Sequence, residues 1–113
     1  MSGITTHVLD LSRGRPATGL RVVLGRTGEQ ANGAPVLAEA FTDDDGRVRE
    51  ELPWAIERGT YRITFDTGAY FRSHGIEPFY PEVTVTFDVT DPSQHYHVPL
   101  LLSPFGYSTY RGS

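Results

Sequence analysis

The stretch His95–Ser113 has the sequence HYHVPLLLSPFGYSTYRGS and decides the fold of this 113-residue chain. Chain ends are usually frayed, but here alternating strand-forming residues flank a turn at Ser103–Gly106. The pattern predicts two strands joined by that turn. Because strand side chains alternate between faces, every second residue of each strand shares one face. The residues that share a face are His95, His97, Pro99 and Leu101 in the first strand, and Tyr107, Thr109, Arg111 and Ser113 in the second.

Upstream of this hairpin, the same alternation recurs in short segments. Thr60–Asp66 and Glu82–Val89 alternate strictly between apolar and polar residues, so each predicts a strand with one buried face. Their predicted inward residues are Tyr61, Ile63, Phe65, Val83, Val85, Phe87 and Val89. Further strands are predicted at Ile4–Asp10, Leu20–Gly25, Val36–Thr42 and Arg47–Glu51. Loops are predicted at Asp10–Ala17 and Arg26–Pro35, and a loop or a single helical turn at Pro53–Gly59.

One helix is predicted, at Thr67–Gly75, with Thr67 capping its start and Gly75 its end. The acidic segment Asp43–Gly46 predicts a tight turn, because Asp-Gly is a strong turn signal. Seven or eight short strands separated by turns indicate an all-β fold, an antiparallel β-sandwich. The length allows one core, so we expect a single domain over residues 1–113.

Composition limits the classes of partner. The net charge of −4 argues against nucleic acid, and no apolar stretch has the length that crossing a membrane requires. The sequence has no cysteine, which excludes disulfides, thiol nucleophiles and cysteine-bound metals. Together with the lack of a secretory signal pattern at the start, this favours a cytoplasmic location.

The hairpin stretch closely resembles the C-terminal signature of the 5-hydroxyisourate hydrolases of the transthyretin-like family. The resemblance rests on His97, Leu101–Pro104 and the ending Tyr110–Ser113. It extends over nearly the whole chain, through His7–Asp10 followed by Gly14, Pro16 and Ala17, through Thr42–Arg47, and through Asp66–Phe79.

The resemblance implies two four-stranded sheets, one short helix and a homotetramer whose channel runs between two dimers. It also implies hydrolysis of 5-hydroxyisourate to 2-oxo-4-hydroxy-4-carboxy-5-ureidoimidazoline in urate degradation. Carried over by motif, the catalytic residues are His7, Arg47, His97 and Ser113, and the substrate-binding residues are Tyr110, Arg111 and Gly112. Transthyretin differs at these places, with a lysine where His7 falls and no Tyr-Arg-Gly-Ser ending. We expect no cofactor and no native metal.

These residue types suit the opening of a planar heterocycle by water. A histidine with a pKa near neutrality can accept the proton of the attacking water, and either His7 or His97 can fill that role. The guanidinium of Arg47 offers paired donors to the substrate oxygens and to the charge that develops on the carbonyl. The hydroxyl or terminal carboxylate of Ser113 can position water or substrate.

Each of these residues also has a structural explanation. His7 and His97 can be surface histidines, and Arg47 can be a charge at a sheet edge, with Arg49 on the same strand face. His95 and His97 have the spacing of a metal site, although sequence spacing fixes no third ligand. The Asp43–Asp45 run lacks the downstream ligands of an EF-hand and is expected to be a solvated turn. Pro99 cannot donate to a ladder, which predicts a bulge or an unpaired stretch beside His97.

Two further functions compete with the hydrolase. A non-catalytic transthyretin-like carrier of small aromatic ligands would use the same channel, but it needs no titratable pair facing the ligand. An extracellular adhesion-type sandwich is disfavoured by the missing cysteines. His7, His97 and the Tyr-Arg-Gly-Ser ending therefore discriminate between enzyme and carrier.

Overall fold

The computed structural model describes residues 3–27, 36–49, 52 and 56–112. Within these ranges, no helix has the length and apolar character needed to cross a membrane. The strands are β1 (Gly3–Asp10), β2 (Arg15–Pro16), β3 (Arg21–Arg26), β4 (Val36–Phe41), β5 (Arg47–Val48), β6 (Gly59–Phe65), β7 (Val83–Val89), β8 (His95–Ser103) and β9 (Gly106–Thr109), and the helix is α1 (Thr67–Ser73).

The strands form two sheets, so the predicted β-sandwich with one short helix is confirmed. The first sheet has the order β2-β1-β8-β9, with β5 also paired to β1, and the second has the order β4-β3-β6-β7. The first sheet therefore has five strands rather than four, because the two-residue strands β2 and β5 both pair with β1. Arg15–Pro16 falls in a segment predicted to be a loop. Parts of other predicted elements lie outside the described residues, namely Gly28–Pro35, Glu50, Glu51 and Pro53–Ala55.

The expectation of wholly antiparallel pairing is wrong at one place. Strands β1 and β8 run parallel, in continuous register from Gly3 opposite His95 to Asp10 opposite Leu102. The side-chain alternation that predicted both strands is the same in parallel and antiparallel sheets, so the sequence pattern could not distinguish them.

The core lies between the sheets and is built from the inward faces of the strands. Tyr61, Ile63 and Phe65 are each at most 2% exposed, which confirms the inward face predicted for β6. On β7, Val83 and Val89 are buried as predicted, whereas Val85 and Phe87 are partly exposed because β7 is the edge strand of its sheet. The other large buried side chains include Ile4, Val8, Leu20, Val22, Leu24, Val48, Leu100 and Leu102.

The helix ends as predicted but begins differently. Gly75 has a φ of 74°, its N–H donates to the carbonyl of Arg72, and the N–H of Ile76 donates to that of Phe71. This pair of bonds is the glycine-terminated helix end that the sequence predicted. The predicted capping role of Thr67 is wrong, because Asp66 takes the N-cap position and Thr67 is buried within the first turn.

Candidate active site

The outward face of the first sheet brings predicted site residues from three strands together. Arg47 on β5 lies opposite His7 on β1, and His7 lies opposite Pro99 on β8. One step along the same face, Thr5 lies opposite His97. Paired residues on neighbouring strands project from the same face of a sheet. We call this surface, formed by Thr5, His7, Arg47, His97 and Pro99, the histidine face.

The acidic turn Asp43–Gly46 fixes the position of Arg47 at the start of β5. The carboxylate of Asp43 accepts the backbone N–H groups of Asp45 and Arg47, each at 2.9 Å. These bonds, that of Arg47 foremost, lower the pKa of Asp43. Gly46 has a φ of 76° and a carbonyl that accepts the N–H of Val8 at 2.7 Å, and a Cβ on this glycine would lie 2.4 Å from the Val8 carbonyl oxygen. The Asp-Gly turn is therefore required for β5 to lie against β1.

The structure distinguishes Arg47 from Arg49, which the sequence pattern could not. Arg49 is exposed and forms a salt bridge with Asp45 at 3.6 Å. Arg47 is half-buried, and its guanidinium forms no hydrogen bond or salt bridge with another described side chain. Its positive charge lowers the pKa of both His7 and His97. Arg47 is thus the arginine whose charge acts on the histidine face.

His7 has one nitrogen fixed by the backbone. Its Nε2 lies 2.8 Å from the carbonyl oxygen of Asp45. A carbonyl oxygen only accepts, so Nε2 carries the proton in the neutral ring and Nδ1 is left with a lone pair. Partial burial, and then the charge of Arg47, lower the pKa of His7 below its ordinary value of 6.5. The neutral form of the ring, with a free acceptor nitrogen, is therefore favoured near neutral pH.

His97 contacts a hydroxyl that it shares with His95. The Oγ1 of Thr5 lies 2.7 Å from Nδ1 of His97 and 2.9 Å from Nε2 of His95. Burial, and then the charge of Arg47, lower the pKa of His97, and the neighbouring imidazoles His95 and His7 act in the same direction. Nε2 of His95 and Nδ1 of His97 are thus both engaged with the Thr5 hydroxyl, and no cluster of three potential metal ligands occurs within the described ranges.

The tail following β9 returns to His97 across Pro99. The ladder between β8 and β9 ends at Leu100 opposite Thr109, and it resumes at a bridge between His97 and Gly112. Between them, the Thr109 hydroxyl donates to the carbonyl of Pro99 at 2.6 Å. The unpaired stretch predicted beside His97 is therefore present on this side. On the β1 side the register is continuous, so a bulge there is not observed.

Gly112 lies directly against the imidazole of His97. Its N–H donates to the His97 carbonyl at 2.8 Å. A Cβ at this position would lie 2.5 Å from Cδ2 of His97 and 3.2 Å from Cγ of Pro99. Only a glycine lets the tail pass this closely over the ring, which explains the residue type that the motif predicted.

The remaining tail residues are only partly brought to the histidine face. The Tyr110 side chain is exposed. The guanidinium of Arg111 lies over the buried Tyr96 ring, 4.6 Å from its centroid, and donates to Gln94 at 3.0 Å. Arg111 is therefore exposed and held against Tyr96 and Gln94. Ser113 lies outside the described residues.

A cavity of about 160 Å³ connects His97 with the tail. It lies where β7 meets β8 and β9, and its lining includes Val85, Phe87, Tyr96, His97, Tyr110 and Arg111. Typical small-molecule sites measure about 300–1,000 Å³. This cavity is thus too small to enclose a heterocyclic substrate by itself, but it joins His97 to two of the residues predicted to bind substrate.

Sequence reasoning did not assign Thr5 to the site, and it considered His95 only as a metal ligand beside His97. Thr5 has the same strand parity as His7, which is a usable signal. Its contact with both tail histidines depends on the parallel pairing of β1 with β8, for which the sequence carries no local pattern.

Comparisons with known proteins identify relatives over the full length. The sequence model of the HIUase/transthyretin family matches residues 4–112. A 5-hydroxyisourate hydrolase from Caulobacter vibrioides is 48% identical over 118 residues, covering all of both chains. The structure of Klebsiella pneumoniae 5-hydroxyisourate hydrolase superposes with a TM-score of 0.87 at 38% identity, covering all of both chains. Sea bream transthyretin in complex with thyroxine superposes with a TM-score of 0.89 at 31% identity, covering 96% of this chain and 93% of that one.

Proposed function

Because the chain belongs to the HIUase/transthyretin family, we propose that it is a 5-hydroxyisourate hydrolase of purine degradation. The observation that carries the proposal is the histidine face, where Arg47, His7 and His97 lie together although they come from three strands. The product is 2-oxo-4-hydroxy-4-carboxy-5-ureidoimidazoline. The reaction needs no cofactor, because water is the only co-reactant.

The residues of this face supply the groups that ring opening requires. A neutral histidine removes a proton from water as the water oxygen bonds to the ring carbonyl carbon, and the carbon–nitrogen bond then breaks. The same proton goes to the departing nitrogen, which balances the reaction. The guanidinium of Arg47 stabilises the negative charge on the carbonyl oxygen. Both histidines have a lowered pKa, which favours the neutral form that such a base needs.

The tail completes the substrate site in this proposal. The substrate-binding residues are proposed to be Tyr110, Arg111 and Gly112. The contact of Gly112 with His97, and the place of Tyr110 and Arg111 in the lining of the cavity beside it, support this role. Ser113 is proposed to position the substrate or water, on the grounds of its place in the sequence motif. A C-terminal tag is then expected to reduce activity much more than an N-terminal tag. Equal activities of the two tagged proteins would contradict a role for the tail.

A homotetramer is proposed as the working form, with the sites in the channel between dimers. Several large apolar side chains near the tail hairpin are exposed, including Phe105 at 75% and Phe79 at 69%. Exposed apolar side chains of this size are commonly buried between subunits. Light scattering at assay concentration tests the assembly, and a monomer would contradict it. We also propose a cytoplasmic location, consistent with the cysteine-free sequence and testable by cell fractionation.

The decisive experiment generates 5-hydroxyisourate from urate in situ and follows its ultraviolet decay with and without the protein. Accelerated decay that is lost in His97→Ala is the expected result. The likeness to the thyroxine-bound transthyretin makes a carrier of small aromatic ligands the second candidate. No acceleration by a folded, untagged tetramer would overturn the hydrolase and favour that carrier.

A further inference from the structure

Thr5 occupies a position between two imidazoles that restricts where their protons can be. Its Oγ1 lies within hydrogen-bond distance of Nδ1 of His97 and Nε2 of His95. A hydroxyl has one hydrogen to donate and lone pairs to accept. These two nitrogens are the only hydrogen-bond partners of Thr5 Oγ1 among the described residues. The hydroxyl hydrogen is therefore used only if, with both rings neutral, Thr5 donates to one ring nitrogen and accepts an N–H from the other.

The surroundings of His95 favour one of the two arrangements. Its Nδ1 is buried and has no hydrogen-bond partner among the described residues. If Thr5 donated to Nε2 of His95, the ring proton would lie on Nδ1 as a buried N–H without an acceptor. Orphaned buried N–H groups are rarer in proteins than under-satisfied acceptors. His95 therefore carries its proton on Nε2 and donates it to Thr5.

The proton arrangement of His97 then follows from that of His95. Because Thr5 accepts from His95, its own hydrogen is donated to Nδ1 of His97. The neutral His97 ring must then carry its proton on Nε2. His7 has the complementary arrangement at the site, since its Nε2–H is used by the Asp45 carbonyl and its Nδ1 is a free acceptor.

We propose that Thr5 is a positioning residue that fixes His97 as a hydrogen-bond donor, which leaves His7 as the general base. This assignment rests on the proposed hydrolase function. Nδ1 of His7 accepts the proton of the attacking water and passes it to the departing ring nitrogen. Nε2–H of His97 donates a hydrogen bond, beside Arg47, to the oxygen that becomes negative as water adds. His97 is neither protonated nor deprotonated, so the proton balance closes on His7 alone.

Nitrogen-15 NMR of the imidazoles tests the proton positions without any substrate. We expect the neutral rings of His7, His95 and His97 in the wild-type protein all to be protonated on Nε2, measured above neutral pH. Protonation of His97 on Nδ1 would overturn the proposal. The expected protonation pattern in a protein without hydrolase activity would support the assignment of the protons but overturn the proposed function.

Kinetics of Thr5 variants test the positioning role. Thr5→Val keeps the side-chain shape but removes the hydroxyl, so His97 loses the donor that holds its Nδ1 unprotonated. We expect kcat to fall about ten- to a hundredfold, which approaches the loss caused by removing one hydrogen-bond donor to the oxyanion. KM should change little. The NMR spectrum should show Nδ1-protonated His97 appearing in this variant.

Two further variants serve as controls. Thr5→Ser retains the hydroxyl and should restore both kcat and the His97 protonation pattern. Thr64→Val removes an exposed hydroxyl that pairs with Thr84 at 3.3 Å on the second sheet, and it should leave both readouts unchanged. Wild-type kcat in Thr5→Val, or an equal loss in Thr5→Ser, would contradict the role of the hydroxyl.

Discussion

The outward faces of the two sheets differ in how their polar side chains are grouped. On the second sheet, polar side chains pair with complementary ones: Arg21 with Glu39 and Thr60 with Asp88. On the first sheet, Arg47 lies among histidines and lowers their pKa. A cation beside titratable bases opposes their protonation, so this grouping costs stability when the histidines are charged. This difference supports the proposal that the first-sheet face is the active site, whereas the second-sheet face is an ordinary solvated surface.

Removing the histidines should produce the largest difference between the two faces. His7→Ala and His97→Ala are each expected to lower kcat/KM by about 10²–10⁴-fold, since each removes a group that is proposed to act in the transition state. The ultraviolet decay assay measures this loss. His74→Ala is the matched control, because His74 contacts Arg13 and Tyr70 near the helix end. A comparable loss in the control would mean that general destabilisation explains the result.

Crowding His97 should have the next largest effect. Gly112→Ala places a methyl group against the imidazole and must displace the ring or the tail. We expect activity to fall about a hundredfold, because a displacement of about 1 Å at a catalytic group has that cost. Gly106→Ala is the control, since its Cβ would meet only Ser103 Oγ at an ordinary 3.8 Å. Near-normal kinetics in Gly112→Ala would show that the tail does not constrain His97.

Removing the charge of Arg47 should change the pH dependence. In the wild-type protein, kcat/KM is expected to fall at acid pH with a midpoint below 6.5, because burial and Arg47 hold the pKa of both histidines below that value. In Arg47→Gln the histidines protonate more readily, so the midpoint should move to higher pH and the rate should also fall. Arg49→Gln, which removes an exposed charge paired with Asp45, should leave the midpoint in place. A midpoint that stays in place in Arg47→Gln would contradict the electrostatic coupling.

Breaking a pair on the second sheet should have the smallest effect. Arg21→Ala removes an ion pair whose side chains are about half exposed, so the free energy of unfolding should fall by less than about 1 kcal/mol with activity unchanged. Leu24→Ala, at a fully buried position on the same strand, should cost about 2–5 kcal/mol in the same denaturation experiment. Lost activity in Arg21→Ala would contradict the division between the two faces.

The predictions that succeeded rest on local physics. Alternation located the strands and the buried face of β6, and Gly75 ended the helix because it reaches positive φ without strain. The capping prediction for Thr67 failed because Asp66 holds the N-cap position, which makes Thr67 the first residue of the helix. The candidate residues were identified by their resemblance to a family rather than by their chemistry, since a histidine or arginine on a strand face is ordinary when taken alone.

By itself, the sequence determined the longer strands, the turns, the family and the types of residue available for catalysis. The strands follow from side chains that alternate every two residues, and the turns and the family follow from motifs only a few residues long. Only the tertiary structure decided that β1 lies parallel to β8, which brings Thr5 between His95 and His97. Partners separated by about ninety residues leave no local pattern, because their pairing depends on which buried faces pack together across the whole fold.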